Sequence, residues 1–317
     1  MTTALVIGRK RPGRPIRKAV RDTRQKLEAA GWTVESSFVK KKSKLRRKTA
    51  DAVEAGIDVV VAVGGDGAVL QVVQSLAEKS VALGIIPMGT GNLVARNLGI
   101  HRRLDRAVSV LLEGQRRVID LGHVTLGDKK WYFSVACGVG FDAEVMDATK
   151  TREKDRWGRI AYAASALTQS GKLRNVEHTI TVDGVETTME AAQVFIANFG
   201  RTGLGVKPRL EVEPDDGVLD VIAIRASGRL SGLLAGWKAI RQGHEGETSD
   251  GRAFRAKARE IRIETKEERL VEIDGSVMGK TPIDVSVRPA ALTVLVPGST
   301  HPGSNVPRRD ATGTQSP

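Results

Sequence analysis

Two glycine-rich segments constrain the fold of this chain more than any other feature of its sequence. The first, Gly-Gly-Asp-Gly at residues 64–67, follows the valine-rich run at residues 59–63 and precedes an amphipathic stretch that begins at Val69. This order predicts a buried strand, a tight turn and a helix. Glycine lets a ligand approach the backbone closely, and the N-terminus of the following helix attracts anions. A tight turn with Asp66 as the helix cap explains the tetrapeptide equally well.

The second glycine-rich segment repeats the pattern one strand later. The apolar run at residues 81–86 ends in Pro-Met-Gly-Thr-Gly-Asn at residues 87–92, and residues 93–98 have a helical pattern. In an open parallel sheet, neighbouring strand ends of this kind share one crevice. Two such loops in succession therefore predict one phosphate site, made by glycine amides and by two short polar side chains. The candidate residues are Gly64, Gly65, Gly67, Gly89, Thr90 and Asn92.

These segments and several others resemble the motifs of a known family. GGDGA at residues 64–68 and PMGTGNLVARNLGI at residues 87–100 are similar to the paired motifs of diacylglycerol kinases, sphingosine kinases and bacterial lipid kinases. Shorter segments resemble further motifs in the family's order, and the resemblance extends over residues 57–297. These segments are RVIDLG at 117–122, GVGFDA at 138–143, PDDGVLD at 214–220, IDG at 273–275 and ALTVLVP at 291–297.

The resemblance implies an ATP-dependent lipid kinase that transfers the γ-phosphoryl group to a lipid hydroxyl such as that of diacylglycerol. It implies that residues 64–67 and 89–92 contact ATP, and that Asp66 acts in catalysis and helps to hold Mg²⁺. Asp120 is a second candidate for Mg²⁺, which prefers oxygen ligands. Without the resemblance, Asp120 would be interpreted as a surface carboxylate.

For two further segments the resemblance implies a functional role, but a simpler structural interpretation explains the sequence as well. The turn that contains Asp215, Asp216 and Asp220 is implied to hold a structural Mg²⁺, and an exposed acidic turn explains the same sequence. KDRWGRIAY at residues 154–162 resembles a family helix, whose Arg156 and Arg159 face either lipid phosphate or solvent.

Departures from the family motifs bear on activity rather than on fold. Ser276 stands where the family has a Glu, its proposed general base, and loss of a positioned base costs on the order of 10²–10⁴ in rate. Asp274 is the candidate to replace it. Ala68 replaces the usual Thr, and the loop after the first strand is the basic sequence Gly-Arg-Lys-Arg-Pro-Gly at residues 8–13, whose cations can clamp phosphate.

These departures leave alternative functions open. One alternative is a catalytically impaired protein that binds lipid or nucleotide. Another is an NAD kinase, which shares the GGDG motif and the plan of two domains but normally lacks the GTGN loop. Transfer of phosphate to a lipid, binding without turnover and phosphorylation of NAD distinguish the three functions.

Alternating strand and helix patterns predict an α/β domain at residues 1–122, a doubly wound, NAD kinase-like parallel sheet. Within it, Ser43 is a plausible N-cap for a helix at residues 43–55. Residues 123–290 are a succession of short β-like runs, which predict a β-sandwich, and the resemblance implies that this domain binds the lipid substrate. Residues 291–297 are expected to return as a strand to the first domain. The polar residues 298–317 are expected to be disordered.

The distribution of charge suggests a partner. Residues 1–48 contain 16 of the 50 Lys and Arg residues and only 3 of the 37 Asp and Glu residues, so the net charge of +13 is confined to them. A basic region of this kind attracts anionic lipid, and a solvated surface is the alternative. Nucleic acid is a weaker candidate because only Trp32 and Phe38 could stack on bases.

Composition also bounds the compartment. The single cysteine, Cys137, excludes an internal disulfide and lies in an apolar run, which favours a buried thiol. No apolar run reaches the length of about 18 residues that a membrane span needs. We therefore expect a cytoplasmic protein, peripheral at the inner face of the membrane. The five histidines have no ligand-like spacing, so no zinc site is predicted. The oligomeric state is left open, with a homodimer among the alternatives.

Overall fold

The structure is a computed structural model, and it describes residues 1–141, 174–200, 212–225, 246–247 and 253–298. The sequence also has helical patterns at residues 159–169 and 231–242. These two stretches lie outside the described residues, as do the segment at residues 154–162, Asp142 and Ala143, and the polar tail from residue 299 onwards. No helix among the described residues is long and apolar enough to cross a membrane.

Helices are concentrated in the first part of the described chain, and strands predominate after it. The helices are α1 (Ile16–Ala29), α2 (Lys42–Glu54), α3 (Asp66–Leu76), α4 (Leu93–Asn97) and α5 (Leu104–Glu113). The strands are β1 (Thr3–Arg9), β2 (Thr33–Val39), β3 (Val59–Gly64), β4 (Ala82–Pro87), β5 (Gln115–Leu126), β6 (Lys129–Phe133), β7 (Ala136–Phe141), β8 (Val176–Val182), β9 (Val185–Ala191), β10 (Gln193–Ala197), β11 (Leu219–Ile224), β12 (Gly246–Glu247), β13 (Ala253–Ala258), β14 (Glu260–Thr265), β15 (Leu270–Ile273), β16 (Ser276–Lys280) and β17 (Ile283–Val296).

The first part of the chain forms a parallel sheet with the strand order β2-β1-β3-β4. Every residue of β3 and β4 is buried, as expected for apolar strands that helices cover on both faces. Helix α1 packs against α5, and α2 packs against α3, so the helices form two layers. The predicted parallel α/β fold is confirmed.

The second part of the chain is rich in β-structure. An antiparallel sheet with the order β12-β13-β11-β10-β7-β15-β16 faces the continuation of the first sheet, in which β17 is followed by β14, β8 and β9. A separate apolar core lies in this part, with Phe133, Ile196 and Ile273 among its fully buried members. Two sheets around one core make a sandwich, so the predicted β-rich fold is also confirmed.

Two long antiparallel strands, β5 and β17, run through both parts of the molecule. The register pairs Asp284 with Thr125 at one end and Val296 with Gln115 at the other, with a shift between Arg288 and Leu292. Beyond that shift, Val294 pairs in parallel with Leu83 of β4. The same pair of strands therefore contributes to the α/β layer and to the sandwich.

Helix α3 also joins the two parts. Its Leu70 is buried in the core of the sandwich rather than in the α/β core. The Gln74 amide donates to the Tyr132 carbonyl oxygen at 2.7 Å and accepts from the Tyr132 N–H at 3.0 Å. The helix that begins at Asp66 is thus fixed to β6 of the sandwich.

The predicted N-cap at Ser43 is wrong. Helix α2 begins at Lys42 with Lys41 as the N-cap, and no side chain caps the helix. Ser43 lies inside the first turn, whereas a capping side chain comes from the residue that precedes the helix.

Candidate functional site

The two glycine loops touch each other at the carboxyl edge of the parallel sheet. A Cβ atom added to Gly65 would lie 2.7 Å from the Cα of Gly89, and one added to Gly89 would lie 2.5 Å from the Cα of Gly65. The Met88 N–H also donates to the Gly64 carbonyl oxygen at 2.7 Å. Only glycine permits this approach, so the two segments form one continuous surface.

Asp66 links the first loop to the helix that follows the second. Its carboxylate accepts hydrogen bonds from the Asn92 N–H at 2.9 Å and from the Leu93 N–H, the first amides of α4. A Cβ on Gly91 would lie 2.8 Å from Asp66 Oδ2. Burial raises the pKa of Asp66, and these backbone hydrogen bonds together with the charge of Arg11 oppose the rise. A carboxylate has about four acceptor positions, so two amides leave room for a cation.

Asn92 and Thr90 shape the second loop. Asn92 has a φ of 49°, and its side chain accepts from the Gly89 N–H at 2.7 Å and donates to the Gly89 carbonyl oxygen at 3.0 Å. The Asn92 amide and the Gly89 N–H therefore hold the loop in shape, and their contact with a ligand stays a prediction. A Cβ on Gly67 would meet no atom of the described residues within 4 Å, so this position of α3 is open with respect to them.

Arginines surround the two loops. Arg14 Nη2 donates to the Thr90 hydroxyl at 3.3 Å, and Arg102 Nη2 approaches the Gly89 carbonyl oxygen at 3.4 Å. Arg11 lies close enough to Asp66 to lower the pKa of that carboxyl. The basic loop at residues 8–13 indicated a phosphate clamp, but Arg14 and Arg102 were missed. Only their positions in the sequence could have pointed to them, because Arg14 follows the basic loop at residues 8–13 and Arg102 follows the motif at residues 87–100.

Asp274 lies at the tip of the β15–β16 hairpin. Asp274 and Gly275 have φ angles of 43° and 81°, the combination typical of a type I′ Asp-Gly turn. The Asp274 carboxylate accepts from the N–H groups of Ser134 at 2.8 Å, Val135 at 2.9 Å and Ala136 at 3.0 Å. The hairpin from one sheet of the sandwich is thus tied to the segment that joins β6 and β7.

The electrostatics of Asp274 connect it with Asp66. Burial raises the pKa of Asp274 to about 6, against the three backbone hydrogen bonds, and the nearby negative charge of Asp66 adds to the rise. Ser276, the departure from the family motif, is buried on the following strand, where it pairs with Ile273. The charge of a carboxylate from the α/β part of the molecule thus acts on a carboxylate from the sandwich.

A Mg²⁺ ion is compatible with Asp66. Asp66 is half-buried, and burial raises the pKa of its carboxyl, so its negative charge is incompletely compensated. In the described part of the chain, no three His, Cys, Asp or Glu side chains are grouped to hold a metal ion. Mg²⁺ does not need such a cage, because it commonly takes one or two carboxylates together with substrate phosphates and water.

Asp120 has a different environment. It is buried, and its carboxylate accepts from the Gly217 N–H at 2.7 Å and from the Ala290 N–H at 2.8 Å. Its own N–H donates to the Pro214 carbonyl oxygen at 2.6 Å. Asp120 thereby joins β5 to the acidic turn and to the irregular part of β17, and metal binding by Asp120 stays a prediction.

The carboxylates of the acidic turn each contact a cation. Arg117 donates to both Asp215 oxygens at 2.9–3.0 Å, Lys257 Nζ lies 2.8 Å from Asp216 Oδ2, and Arg255 Nη2 lies 2.6 Å from Asp220 Oδ1. Burial raises the pKa of Asp220, opposed by its hydrogen bond with Arg255. These pairs stabilise the turn from within the protein, and a structural Mg²⁺ there remains a prediction.

Cys137 lies beside Asp274 in the sandwich core. It is fully buried, and burial raises the pKa of its thiol well above the usual range. A protonated thiol without access to solvent is a poor nucleophile. The structure therefore agrees with a packing role for this residue.

Both parts of the chain match known protein families. The family pattern "Diacylglycerol kinase catalytic domain" matches residues 3–124, and the pattern "YegS C-terminal NAD kinase beta sandwich-like domain" matches residues 135–296. The diacylglycerol kinase of Mycobacterium tuberculosis (strain ATCC 25618 / H37Rv) is 34% identical over 262 residues, which cover 80% of this chain and 81% of that protein. The diacylglycerol kinase of Bacillus subtilis (strain 168) is 26% identical over 286 residues, covering 89% of this chain and 92% of that protein.

A solved structure shows the same fold. A diacylglycerol kinase from Bacillus anthracis str. Sterne superposes with a TM-score of 0.71 at 22% sequence identity, covering 93% of this chain and 96% of that chain. At this identity the superposition bears on the fold alone.

The contact between the loops predicts unequal effects for two neighbouring glycines. In Gly65→Ala the new methyl group meets the backbone of Gly89, and overpacking of this kind costs about 1–3 kcal/mol. In Gly67→Ala the methyl group meets open space, and the helix gains up to about 1 kcal/mol. Thermal unfolding of the two variants should show a lower Tm for the first only. Equal Tm values would contradict the contact.

Proposed function

The chain belongs to the diacylglycerol kinase family, and we propose that it is an ATP-dependent kinase that phosphorylates a lipid hydroxyl such as that of diacylglycerol. ATP is the proposed nucleotide and Mg²⁺ the proposed metal. The observation that carries the proposal is the contact between the two glycine loops, beside which lies Asp66, whose charge acts on Asp274.

The proposed nucleotide contacts follow from the loops. Phosphoryl transfer depends mainly on position and on compensation of the charge on the phosphoryl group. The amides at the start of α3 and the arginines Arg11, Arg14 and Arg102 supply positive potential at one place. The Gly64–Gly67 and Gly89–Asn92 loops would then contact the phosphates or ribose, with Asp66 as a ligand of Mg²⁺.

Asp274 is the proposed general base. A base acts best when its pKa lies near the working pH, and a pKa of about 6 is nearer to that than the ordinary value of 3.8. The Asp274 carboxylate would accept the proton of the lipid hydroxyl, directly or through water, as that oxygen attacks the terminal phosphorus. In this proposal it replaces the Glu that the family has at position 276.

A transfer assay tests the proposed reaction. The protein is incubated with labelled ATP and Mg²⁺ and with diacylglycerol, sphingosine or NAD, and the products are separated. We expect labelled product with a lipid acceptor, and a loss of about 10²-fold or more in Asp66→Asn, because a neutral amide is a weaker ligand for the proposed Mg²⁺, which compensates the charge of the transferred group. The exposed Asp105→Asn is the matched control and should retain the wild-type rate.

Each other outcome of this assay is informative. Binding of ATP without transfer to any lipid would favour the catalytically impaired alternative. Phosphorylation of NAD would overturn the choice of acceptor.

The raised pKa of Asp274 predicts the pH dependence of the rate. The base must be ionised, so kcat/KM should fall about tenfold per pH unit below the apparent pKa near 6 and level off above it. Asp274→Asn should lose on the order of 10²–10⁴ in rate and the acid limb with it. Ser276→Ala should keep both the rate and the profile. An unchanged acid limb in Asp274→Asn would show that another group is the base.

The basic N-terminal part of the chain is proposed to dock on an anionic bilayer, at the cytoplasmic face of the inner membrane. Helices α1 and α2 cover the two faces beside the edge strand β2, and Lys40, Lys41 and Lys44 are exposed next to it. The Lys10 N–H donates to the Val39 carbonyl oxygen at 2.8 Å, so the basic loops after β1 and β2 adjoin. In a parallel sheet these loops share an edge with the glycine loops, and docking there would bring lipid towards the site.

Charge reversal tests the proposed docking. Each basic residue near an anionic surface contributes about 1 kcal/mol, so Lys40→Glu, Lys41→Glu and Lys44→Glu together should weaken binding at least about a hundredfold. Sedimentation with vesicles of phosphatidylglycerol and phosphatidylcholine measures it. The control carries the same charge change at the exposed Lys129, Lys130 and Lys266. Equal loss in both triple variants would indicate a non-specific effect of net charge.

A further inference from the structure

We propose that Asn198 is a positioning residue for Asp274: it fixes the backbone segment whose N–H groups hold the Asp274 carboxylate. The inference rests on the proposed function, in which Asp274 is the general base. Asn198 lies directly after β10, outside the hairpin that carries Asp274, and none of the family motifs considered above includes it.

The segment to be fixed is short and lies between two strands. Strand β6 ends at Phe133 and β7 begins at Ala136, so Ser134 and Val135 lie outside both strands. The N–H groups of Ser134, Val135 and Ala136 nevertheless converge on one carboxylate within 3.0 Å. Successive N–H groups form such an anion-binding concavity only when the peptide planes are held at the required angles.

Asn198 holds the opposite side of these peptide planes. Its Nδ2 donates to the Ser134 carbonyl oxygen at 3.0 Å, and its backbone N–H donates to the Val135 carbonyl oxygen at 2.9 Å. The N–H groups of this segment thus face Asp274, while the carbonyl oxygens of Ser134 and Val135 face Asn198. A rotation of either peptide plane would break a hydrogen bond on both sides.

The amide of Asn198 is itself fixed. Asn198 is fully buried, and the second hydrogen of Nδ2 is donated to the Asp120 carbonyl oxygen at 2.8 Å. The opposite orientation of the amide would place Oδ1 against two carbonyl oxygens. Oδ1 is buried and makes no hydrogen bond with the described residues. The unsatisfied Oδ1 is unfavourable. The orientation of the side chain is therefore set by the two hydrogen bonds that Nδ2 donates.

The connection with Asp120 extends the support across the molecule. The Asp120 carboxylate accepts from Gly217 in the acidic turn and from Ala290 in β17. Asn198 therefore lies where β5, β10 and the 134–136 segment meet. A substitution of Asn198 would release the three N–H groups from their fixed positions but would leave the glycine loops intact. Proton transfer should therefore become slower, while nucleotide binding should change little.

The test compares Asn198→Ala with Thr49→Val, which removes a buried hydrogen bond to the Leu45 carbonyl oxygen in α2, far from the hairpin. In Asn198→Ala we expect kcat to fall about tenfold or more, with the KM for ATP little changed. The acid limb of the pH profile should move to higher pH, because amides that favour the ionised carboxylate are displaced. Thr49→Val should lower stability without either change. Unchanged kcat and acid limb in Asn198→Ala would overturn the proposal.

Two further arms keep the test decisive. If Asn198→Ala does not fold, Asn198→Ser, which retains one donor, should show the same changes to a smaller degree, and a wild-type profile would overturn the proposal. Carbon-13 titration of the Asp274 carboxyl, assigned with Asp274→Asn, needs no activity. If the wild type transfers no phosphate, the proposed function fails, while a higher pKa of Asp274 in the Asn198 variant still supports the positioning role and an unchanged one refutes it.

Discussion

The close approach of Gly65 and Gly89 is the interaction on which the rest of the candidate site depends. It brings the start of α3 and the start of α4 to one point of the sheet edge, and Asp66 then closes the gap by accepting the first amides of α4. The N-terminus of α4 is satisfied by a carboxylate from another helix rather than by its own N-cap, Asn92. A side chain at either glycine would push the loops apart. The positive ends of α3 and α4 would then no longer act on the same ligand group.

Asp66 and Asp274 can act in one site only if the α/β part and the sandwich are held in a fixed relative position. Helix α3 starts at the loops and buries Leu70 in the sandwich core, while Gln74 makes two hydrogen bonds with Tyr132. Strands β5 and β17 run through both parts. The relative position of Asp66 and Asp274 is therefore fixed by packing and backbone pairing, which is the preorganisation that the proposed phosphoryl transfer would require.

The sequence predicted the fold and the loops well because their signals are local. Valine-rich runs indicate buried strands and glycine marks tight turns, whatever the rest of the chain does. The contacts of the acidic turn were not predictable in this way. Arg117 lies 98 residues from Asp215, and Lys257 lies 41 residues from Asp216. Likewise, the three amides that hold Asp274 come from a segment about 140 residues away, which only the tertiary fold brings near.

The structure distinguishes acidic residues that the sequence analysis had treated alike as candidate site residues. Asp215 and Asp216 are each neutralised by a nearby cation, and such half-exposed pairs contribute about 0–1 kcal/mol to stability. Asp66, which is half-buried, and Asp274, which is buried, instead have raised pKa values, and the charge of Asp66 contributes to the rise at Asp274. A carboxylate whose pKa is raised by burial is unfavourable for folding, so stability does not explain these two residues. Perturbed carboxylates of this kind cluster at functional sites, which supports the roles proposed for Asp66 and Asp274.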